Sequence, residues 1–186
     1  NNKKKELEDK ADTDLLTGLN NKLATERKIK EYMAKNPDKQ CMMFMIDVDN
    51  FKKINDTMGH AFGDEVLRSL GIQIGAIFRA SDIIGRVGGD EFMVFLKDVA
   101  TEEAILKEAR KMEVFFKNFQ AGEYVKYKAT ASIGVAVFPQ EGSDFETLYK
   151  AADQGVYKAK KRGKNQLAFY RDRGAAEQDV PSETAE

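Results

Sequence analysis

The amino-acid sequence predicts an α/β (α+β) domain, in which a central mixed sheet of about five strands is flanked by helices and contains one β-hairpin. Short strand-like runs of apolar residues alternate with longer segments in which apolar residues recur at helical spacing. Two of the strand-like runs are separated only by a short turn with two glycines, which is typical of a hairpin. The 186 residues, 42% of them apolar, suffice for one such domain with tails.

The first half of the chain predicts a charged segment, a helix, a strand and a second helix. Asn1 to Asp12 is a charge run, which is typical of a solvated helix or a linker. The segment from Asn20 to Asn36 has apolar residues at helical spacing and is closed by Pro37, so we predict an amphipathic helix. Cys41 to Ile46 is wholly apolar, the pattern of a central strand that is buried on both faces. Helical spacing then predicts a second helix from about Ala61 to Phe78.

A hairpin is predicted next. Ile83 to Val87 and Phe92 to Leu96 are strand-like runs, and the turn between them is Gly88-Gly89-Asp90-Glu91. We expect the adjacent glycines to supply the positive φ angles that tight hairpin turns require.

The second half predicts two more helices, two more strands and a tail. In order, these are a helix from Thr101 to about Phe119, a strand from Lys126 to Phe138, a helix ending at Arg162 and a strand from Gln166 to Tyr170. Ser143 and Glu146 are spaced as a capping box that would open the second of these helices. Arg171 to Glu186 is polar and nearly devoid of large apolar groups, so we predict a disordered tail.

Composition excludes several classes of function. The net charge of −1 lacks the positive excess that drives nonspecific binding to nucleic acid. The longest apolar run, Cys41 to Ile46, is too short to cross a bilayer, so no direct membrane insertion is expected. One cysteine and one histidine, His60, cannot assemble a His/Cys zinc site. The chain starts at Asn1 without an export signal, so we expect a cytoplasmic piece of a longer protein, which a membrane could anchor.

Three acids stand where apolar strands end. Asp47 follows the buried strand, and Asp90 and Glu91 lie in the hairpin turn. A carboxylate in such a place is costly to desolvate unless it is paired or binds a cation. Mg²⁺ takes oxygen ligands of this kind together with substrate phosphates, and two such ions can assist a phosphoryl displacement. Spacing alone favours the other reading, a purely structural turn.

Five motifs, in this order along the chain, give the sequence a recognisable resemblance. They are Asp14 to Asn21 (DLLTGLNN), Asp47 to Asp64 (DVDNFKKINDTMGHAFGD), Arg79 to Asp82 (RASD), Gly88 to Phe92 (GGDEF) and Ala159 to Asn165 (AKKRGKN). Together they resemble the GGDEF domain family of diguanylate cyclases. The resemblance implies a linker or stalk remnant over residues 1–12, a GGDEF domain over 13–170 and a tail over 171–186.

The resemblance implies an activity and a metal site. Family members condense two GTP molecules into cyclic di-GMP, with release of pyrophosphate, on a fold that resembles the palm of nucleotidyl cyclases and polymerases. It implies two Mg²⁺ or Mn²⁺ ions per active site, held by Asp47, Asp90 and the backbone carbonyl of Val48. Glu91 is implied as a further metal ligand or as the group that assists deprotonation of the hydroxyl. For Asp49, both a metal-site role and a bracing role stay open.

The resemblance also implies where the nucleotide binds. Guanine recognition falls to Asn55 and Asp64, which suits the chemistry because a carboxylate accepts from the N1–H and the exocyclic amine of guanine. Phosphate contacts are implied for two lysines and for the backbone of one loop: Lys160, Lys164, Asn50, Phe51 and Lys52. Many family members carry arginine where this chain has Lys164, and lysine keeps the charge but loses the bidentate fork.

Regulation and assembly are implied in the same way. Arg79, Asp82 and Arg86 are the implied inhibitory site for cyclic di-GMP. One chain offers one GTP pocket, so catalysis is expected to need a homodimer, with a sensory domain upstream of this chain. Two alternatives stay open: an inactive receptor for GTP or cyclic di-GMP, and a cyclase that makes a mixed GMP–AMP product.

Overall fold

The computed structural model describes residues 1–122 and 127–173, and in this part of the chain five strands form one mixed sheet. The strands are β1 (Cys41–Val48), β2 (Ile83–Arg86), β3 (Glu91–Leu96), β4 (Ala131–Phe138) and β5 (Gln166–Phe169). Their order across the sheet is β2-β3-β1-β4-β5, and β5 runs parallel to β4 whereas the other pairs are antiparallel. The predicted fold class is confirmed.

Six helices lie in the described residues, and most of them pack against this sheet. They are α1 (Asn2–Asp12), α2 (Lys22–Lys35), α3 (Phe51–Met58), α4 (His60–Ile77), α5 (Glu102–Asn118) and α6 (Phe145–Lys161). None of these helices combines the length and the apolar character that crossing a membrane requires. Helix α1 buries none of its residues, in agreement with the solvated helix that its charge run predicts.

Strand β1 separates two hydrophobic cores, which explains its unbroken apolar sequence. Successive side chains of a strand point to opposite faces, so Phe44 and Ile46 enter the core that includes α4 and α5, and Met43 and Met45 enter the core that includes α2 and α6. Asp47 follows the apolar run and points to the same face of the sheet as Met43 and Met45. It therefore emerges at the end of the sheet on the side of α6.

Helix α3 was not predicted. Only Ile54 of its residues is buried, so its sequence lacks the repeated apolar positions by which a helix is recognised. Gly59 separates α3 from α4 with a φ angle of 91°, a conformation that favours glycine, and the predicted second helix begins at His60 rather than at Ala61.

The predicted capping box at Ser143 and Glu146 is wrong. The residue that caps α6 is Asp144, whose Oδ1 accepts a hydrogen bond from the backbone N–H of Thr147 at 2.8 Å. Aspartate, like serine, is a favoured N-cap, and the two candidates stand side by side in the sequence, so spacing alone did not separate them.

The prediction of positive φ at the hairpin glycines is also wrong, because neither Gly88 nor Gly89 is among the glycines with positive φ. Gly88 instead lies close to the side chain of Glu91. A Cβ atom there would lie 3.0 Å from Oε2 and 3.1 Å from Cβ of Glu91.

Two predictions fall partly outside the described residues. Strand β4 begins at Ala131, and the predicted start at Lys126 lies outside the described range. Residues 174–186 of the predicted disordered tail also lie outside it. Arg173, which precedes them, forms ion pairs with Glu102 and with the buried carboxylate of Glu141.

Candidate functional site

The three predicted acids lie at one end of the sheet because of strand register. Asp47 on β1 is directly opposite Glu91 on β3, and the backbone N–H of Val48 donates to the carbonyl oxygen of Asp90 at 3.0 Å. The side chains of Asp47 and Asp90 lie within hydrogen-bond reach of each other. Glu91 is turned back toward Gly88.

This crowding changes the titration of two of the acids. Burial raises the pKa of Asp90 above its ordinary value, and the negative charge of Asp47 raises it further. Burial also raises the pKa of Glu91, with additional contributions from Asp47 and Asp90. Carboxylates that repel each other in a partly desolvated place favour the approach of a cation.

In this structure a lysine supplies the positive charge. The ammonium of Lys160, in the last turn of α6, forms an ion pair with Oδ2 of Asp47, and this contact raises the pKa of Lys160. Lys164, just beyond α6, donates from Nζ to Oδ1 of Asn50 at 2.9 Å. Lys160 therefore reaches the end of β1, and Lys164 reaches the loop between β1 and α3, which contains Asn50 in a left-handed conformation with a φ angle of 54°.

Phe51 and Lys52 form the first turn of α3, directly after this loop. The first backbone N–H groups of a helix have no partner within the helix, and the helix dipole is positive at this end. Lys160, Lys164 and the start of α3 thus bring three sources of positive potential to the same end of the sheet, as an anionic ligand requires.

Asp49 is occupied by protein contacts. Its carboxylate accepts hydrogen bonds from Oγ1 of Thr130 at 2.7 Å, from Oγ of Ser132 at 2.6 Å and from the backbone N–H of Asn165 at 2.9 Å. Only 7% of the residue is exposed. Of the two roles left open for Asp49, these contacts favour the bracing role. In this role Asp49 links the end of β1 to the start of β4 and to the loop that carries Lys164.

Sequence reasoning missed the partners of Asp49. Ser132 lies opposite Asp47 in the register of β1 and β4, and Thr130 comes two positions earlier, just before β4. The signal available in the sequence was a pair of hydroxyl residues with a spacing of two at the start of an apolar strand.

The two predicted guanine-binding residues lie close together at the junction of α3 and α4. Asn55 is half-buried, and a Cβ atom on Gly63 would lie only 1.9 Å from its Oδ1 atom, so glycine leaves the space that the amide occupies. Asp64 is the next residue after Gly63 and is exposed in the first turns of α4. A ligand held by both side chains would lie over this junction.

The predicted inhibitory residues do not all come together. Arg79 contacts both carboxylate oxygens of Asp82 at 3.3 Å, and the same carboxylate accepts from the backbone N–H of Lys97 at 3.0 Å. The side chain of Arg79 is 60% exposed, whereas that of Asp82 is 2% exposed. Arg79 also donates to the carbonyl oxygen of Lys97, and its guanidinium is held at the surface by these contacts.

Arg86 lies elsewhere, at the far end of β2. It donates to Oδ1 of Asp14 at 3.2 Å and to the carbonyl oxygen of Gly89 at 2.8 Å, and so holds the hairpin turn against the first motif. The structure therefore does not place Arg86 beside Arg79 and Asp82. The bridge between Asp14 and Arg86 joins residues far apart in the chain, and no pattern in the sequence indicated it.

The residues present fit a divalent metal ion in their chemistry, although in residues 1–122 and 127–173 no three Asp, Glu, His or Cys side chains are grouped so that they could hold one. Asp47 and Asp90 offer adjacent carboxylate oxygens, the donors that Mg²⁺ and Mn²⁺ prefer. Glu91 lies beside them but points toward Gly88, and Lys160 contributes the positive charge that a cation would otherwise supply.

Comparison with known proteins gives consistent results. Residues 11–166 match the family described as "Diguanylate cyclase, GGDEF domain". The response regulator PleD of Caulobacter vibrioides is 38% identical over 157 residues, which are 82% of this chain and 35% of PleD. The cyclic di-GMP phosphodiesterase PdeR of Escherichia coli is 31% identical over 160 residues, which are 86% of this chain and 24% of PdeR.

A solved structure supports the same assignment. A microbial GGDEF domain, described in an interaction with cyclic di-GMP, superposes with a TM-score of 0.73 at 31% identity, over 88% of this chain and 99% of that one. The chain thus spans about a third or less of the length of the two relatives and nearly all of the solved domain. From the five motifs, the sheet that presents them and these matches, we conclude that the chain belongs to the GGDEF domain family.

Proposed function

We propose that this domain is a diguanylate cyclase, which condenses two GTP molecules into cyclic di-GMP and releases pyrophosphate. The observation that carries the proposal is the meeting of Asp47 and Asp90 beside Lys160 at one end of the sheet. Opposed carboxylates next to a cationic group are what a nucleotide with bound divalent ions needs. The family description names this activity.

Each part of the site has one task in this proposal. Asp47, Asp90 and the carbonyl of Val48 would hold two Mg²⁺ or Mn²⁺ ions, which supply Lewis acidity at the α-phosphate and at the attacking 3′-hydroxyl. Glu91, whose pKa is raised by burial, is suited to a role as a ligand or as the acceptor of the hydroxyl proton. Lys160 and Lys164 would orient the remaining phosphates.

The substrate is proposed to be GTP because of Asp64 and Asn55. The carboxylate of Asp64 is exposed and can accept from the guanine N1–H and the exocyclic amine, whereas adenine has no N1–H. The half-buried amide of Asn55 can donate and accept on the same base edge.

Replacing Asp64 with serine is expected to change specificity. Asp64→Ser should lower kcat/KM for GTP by about 10- to 100-fold, the value of a charge-assisted hydrogen bond, and should lower the preference for GTP over ATP. The products formed from an equimolar GTP and ATP mixture, resolved by mass spectrometry, provide the measurement. Unchanged product ratios would exclude Asp64 from guanine recognition and would leave the mixed-product alternative without support from this position.

Feedback is proposed at Arg79 and Asp82. Arg79→Ala removes an exposed guanidinium but leaves Asp82 bonded to the backbone N–H of Lys97, so the domain should stay folded. Inhibition by cyclic di-GMP should weaken by about tenfold or more, while the initial rate without product stays the same. Lys97→Ala is the matched control, because it removes a neighbouring charge and retains the arginine. Equal inhibition of Arg79→Ala and wild type would contradict the assignment.

The decisive experiment is a turnover assay across protein concentrations. Purified protein with GTP and Mg²⁺ should form cyclic di-GMP, and specific activity should fall on dilution, because one chain supplies one GTP pocket and two pockets must face each other in a homodimer. Absence of product at every concentration would overturn the proposal.

One observation favours a second candidate. PdeR, a relative of comparable similarity, carries the name of a phosphodiesterase. In a longer protein, this domain would then bind GTP or cyclic di-GMP and regulate a neighbouring activity. Absence of turnover in the assay above, together with binding of GTP or cyclic di-GMP measured by calorimetry, would support this receptor role.

A further inference from the structure

The contact between Lys160 and Asp47 joins a cationic side chain to an expected metal ligand. Lys160 approaches from the last turn of α6, and its side chain is 44% exposed, whereas the side chain of Asp47 is 17% exposed. The carboxylate is thus fixed in the sheet, and the lysine is a long side chain that extends from solvent. Of the two partners, the lysine is the one that can leave.

Lys160 and a divalent ion compete for the same carboxylate. The ammonium engages Oδ2 of Asp47, and its charge is also felt by Asp90 and Glu91. A divalent ion that approached these oxygens would face a unit positive charge within a few ångströms. The ion pair therefore weakens metal binding as long as Lys160 stays in place.

The neighbouring lysine does not compete in this way. Lys164 donates to the neutral amide oxygen of Asn50 and not to a carboxylate. Both lysines have exposed side chains at the same end of the sheet, so they contribute similarly to the general electrostatic field there. A comparison of substitutions at Lys160 and at Lys164 therefore isolates the effect of the contact between Lys160 and Asp47.

We infer that Lys160 is a positioning residue that makes metal binding depend on nucleotide: it occupies Asp47 in the free domain and releases it when a triphosphate draws the ammonium away. The inference rests on the proposed function, because it takes Asp47 as a metal ligand and a nucleoside triphosphate as the substrate. The triphosphate carries more negative charge than one carboxylate, so it outcompetes Asp47 for the lysine. The metal ion then binds together with the nucleotide rather than before it.

A titration with Mn²⁺ in the absence of nucleotide tests this directly. Free Mn²⁺ is followed by electron paramagnetic resonance with wild type, Lys160→Met and Lys164→Met, each variant losing one positive charge. Lys160→Met is expected to bind Mn²⁺ about tenfold more tightly than wild type, because both competition and repulsion are removed. Lys164→Met should stay within about twofold of wild type.

A second variant makes the result independent of how well methionine is tolerated. Lys160→Arg keeps the charge and can still pair with Asp47, so it should bind Mn²⁺ as weakly as wild type. In the double variant Lys160→Met with Asp47→Asn, the gain in affinity should disappear. Equal Mn²⁺ affinity in wild type and Lys160→Met would overturn the inference, as would an equal gain in Lys164→Met.

The coupling to nucleotide gives a second readout. The affinity for a GTP analogue with a methylene link between the α- and β-phosphates is measured by calorimetry with and without saturating Mn²⁺. The ratio of the two affinities should be larger for wild type than for Lys160→Met, by the same factor as the change in Mn²⁺ affinity, because linkage is reciprocal. Equal ratios would also overturn the inference. Neither experiment requires turnover, so a domain that makes no cyclic di-GMP can still pass or fail both.

Discussion

Asp90→Asn is expected to abolish cyclic di-GMP synthesis and, at the same time, to raise the melting temperature of the metal-free domain. The pKa of Asp90 is raised first by burial and then by the charge of Asp47, so its ionised form is unfavourable in the folded protein. Asparagine keeps the shape of the side chain and removes this charge. In the proposed function Asp90 holds the metal ions, so its replacement should lower kcat by at least about 10²- to 10³-fold.

The gain in stability should depend on pH in a defined direction. A carboxyl group with a raised folded-state pKa contributes fully to stability below its ordinary pKa, and this contribution is lost as pH rises through the raised value. The wild-type protein therefore carries the free-energy cost of an ionised, partly buried Asp90 at neutral pH but not in acid. The advantage of Asp90→Asn should be largest at neutral pH and should shrink as pH falls toward the ordinary pKa of 3.8.

Asp38→Asn is the matched control for this prediction. Asp38 is exposed in the turn before β1, at the opposite end of that strand from Asp47, and the substitution makes the same change in charge. Melting curves with and without Mg²⁺ and GTP turnover are the measurements. In the presence of the GTP analogue with a methylene link, Mg²⁺ should raise the melting temperature of wild type and of Asp38→Asn but not that of Asp90→Asn. A lower melting temperature for Asp90→Asn than for wild type at neutral pH would contradict the prediction.

The sequence was sufficient to predict that Asp47 and the hairpin acids lie at one end of the sheet. The apolar run of β1 required a central strand, and the short Gly-Gly turn required an antiparallel neighbour. An acid that follows the central strand and acids that lie in the hairpin turn are then close together, provided that the central strand and the hairpin are adjacent. The topology has them adjacent, with Asp47 opposite Glu91.

Other features depend on contacts that leave no local pattern. Helix α3 was missed because it buries a single residue, Ile54. The contact of Arg86 with Asp14 and Gly89 depends on how the first motif lies against β2, and this is fixed only in the folded domain. Gly88 was predicted to supply a positive φ angle, whereas in the structure it has none and packs closely against the side chain of Glu91. In each case tertiary packing, rather than propensity, decides the outcome.

Asp49→Ala is expected to act in the opposite way from Asp90→Asn and to destabilise the domain with or without Mg²⁺. The carboxylate satisfies Thr130, the fully buried Ser132 and the backbone N–H of Asn165, and alanine would leave all three donors without this acceptor. The expected loss is about 3 kcal/mol, because hydrogen bonds to a buried charge are lost and polar groups are left unpaired. For a domain of this size this corresponds to a drop of roughly 10 °C in the melting temperature.

A double-substitution cycle separates the bracing role from a direct metal role. Ser132→Ala removes one of the donors, so Asp49→Ala in that background should cost less than it does in wild type, with a coupling of about 1 kcal/mol between the two sites. If Asp49 were instead a metal ligand, its replacement would relieve charge repulsion, as at Asp90, and its effect on stability would depend on Mg²⁺. Chemical denaturation of the four proteins with and without Mg²⁺ distinguishes these cases. Additive effects of the two substitutions would contradict the brace.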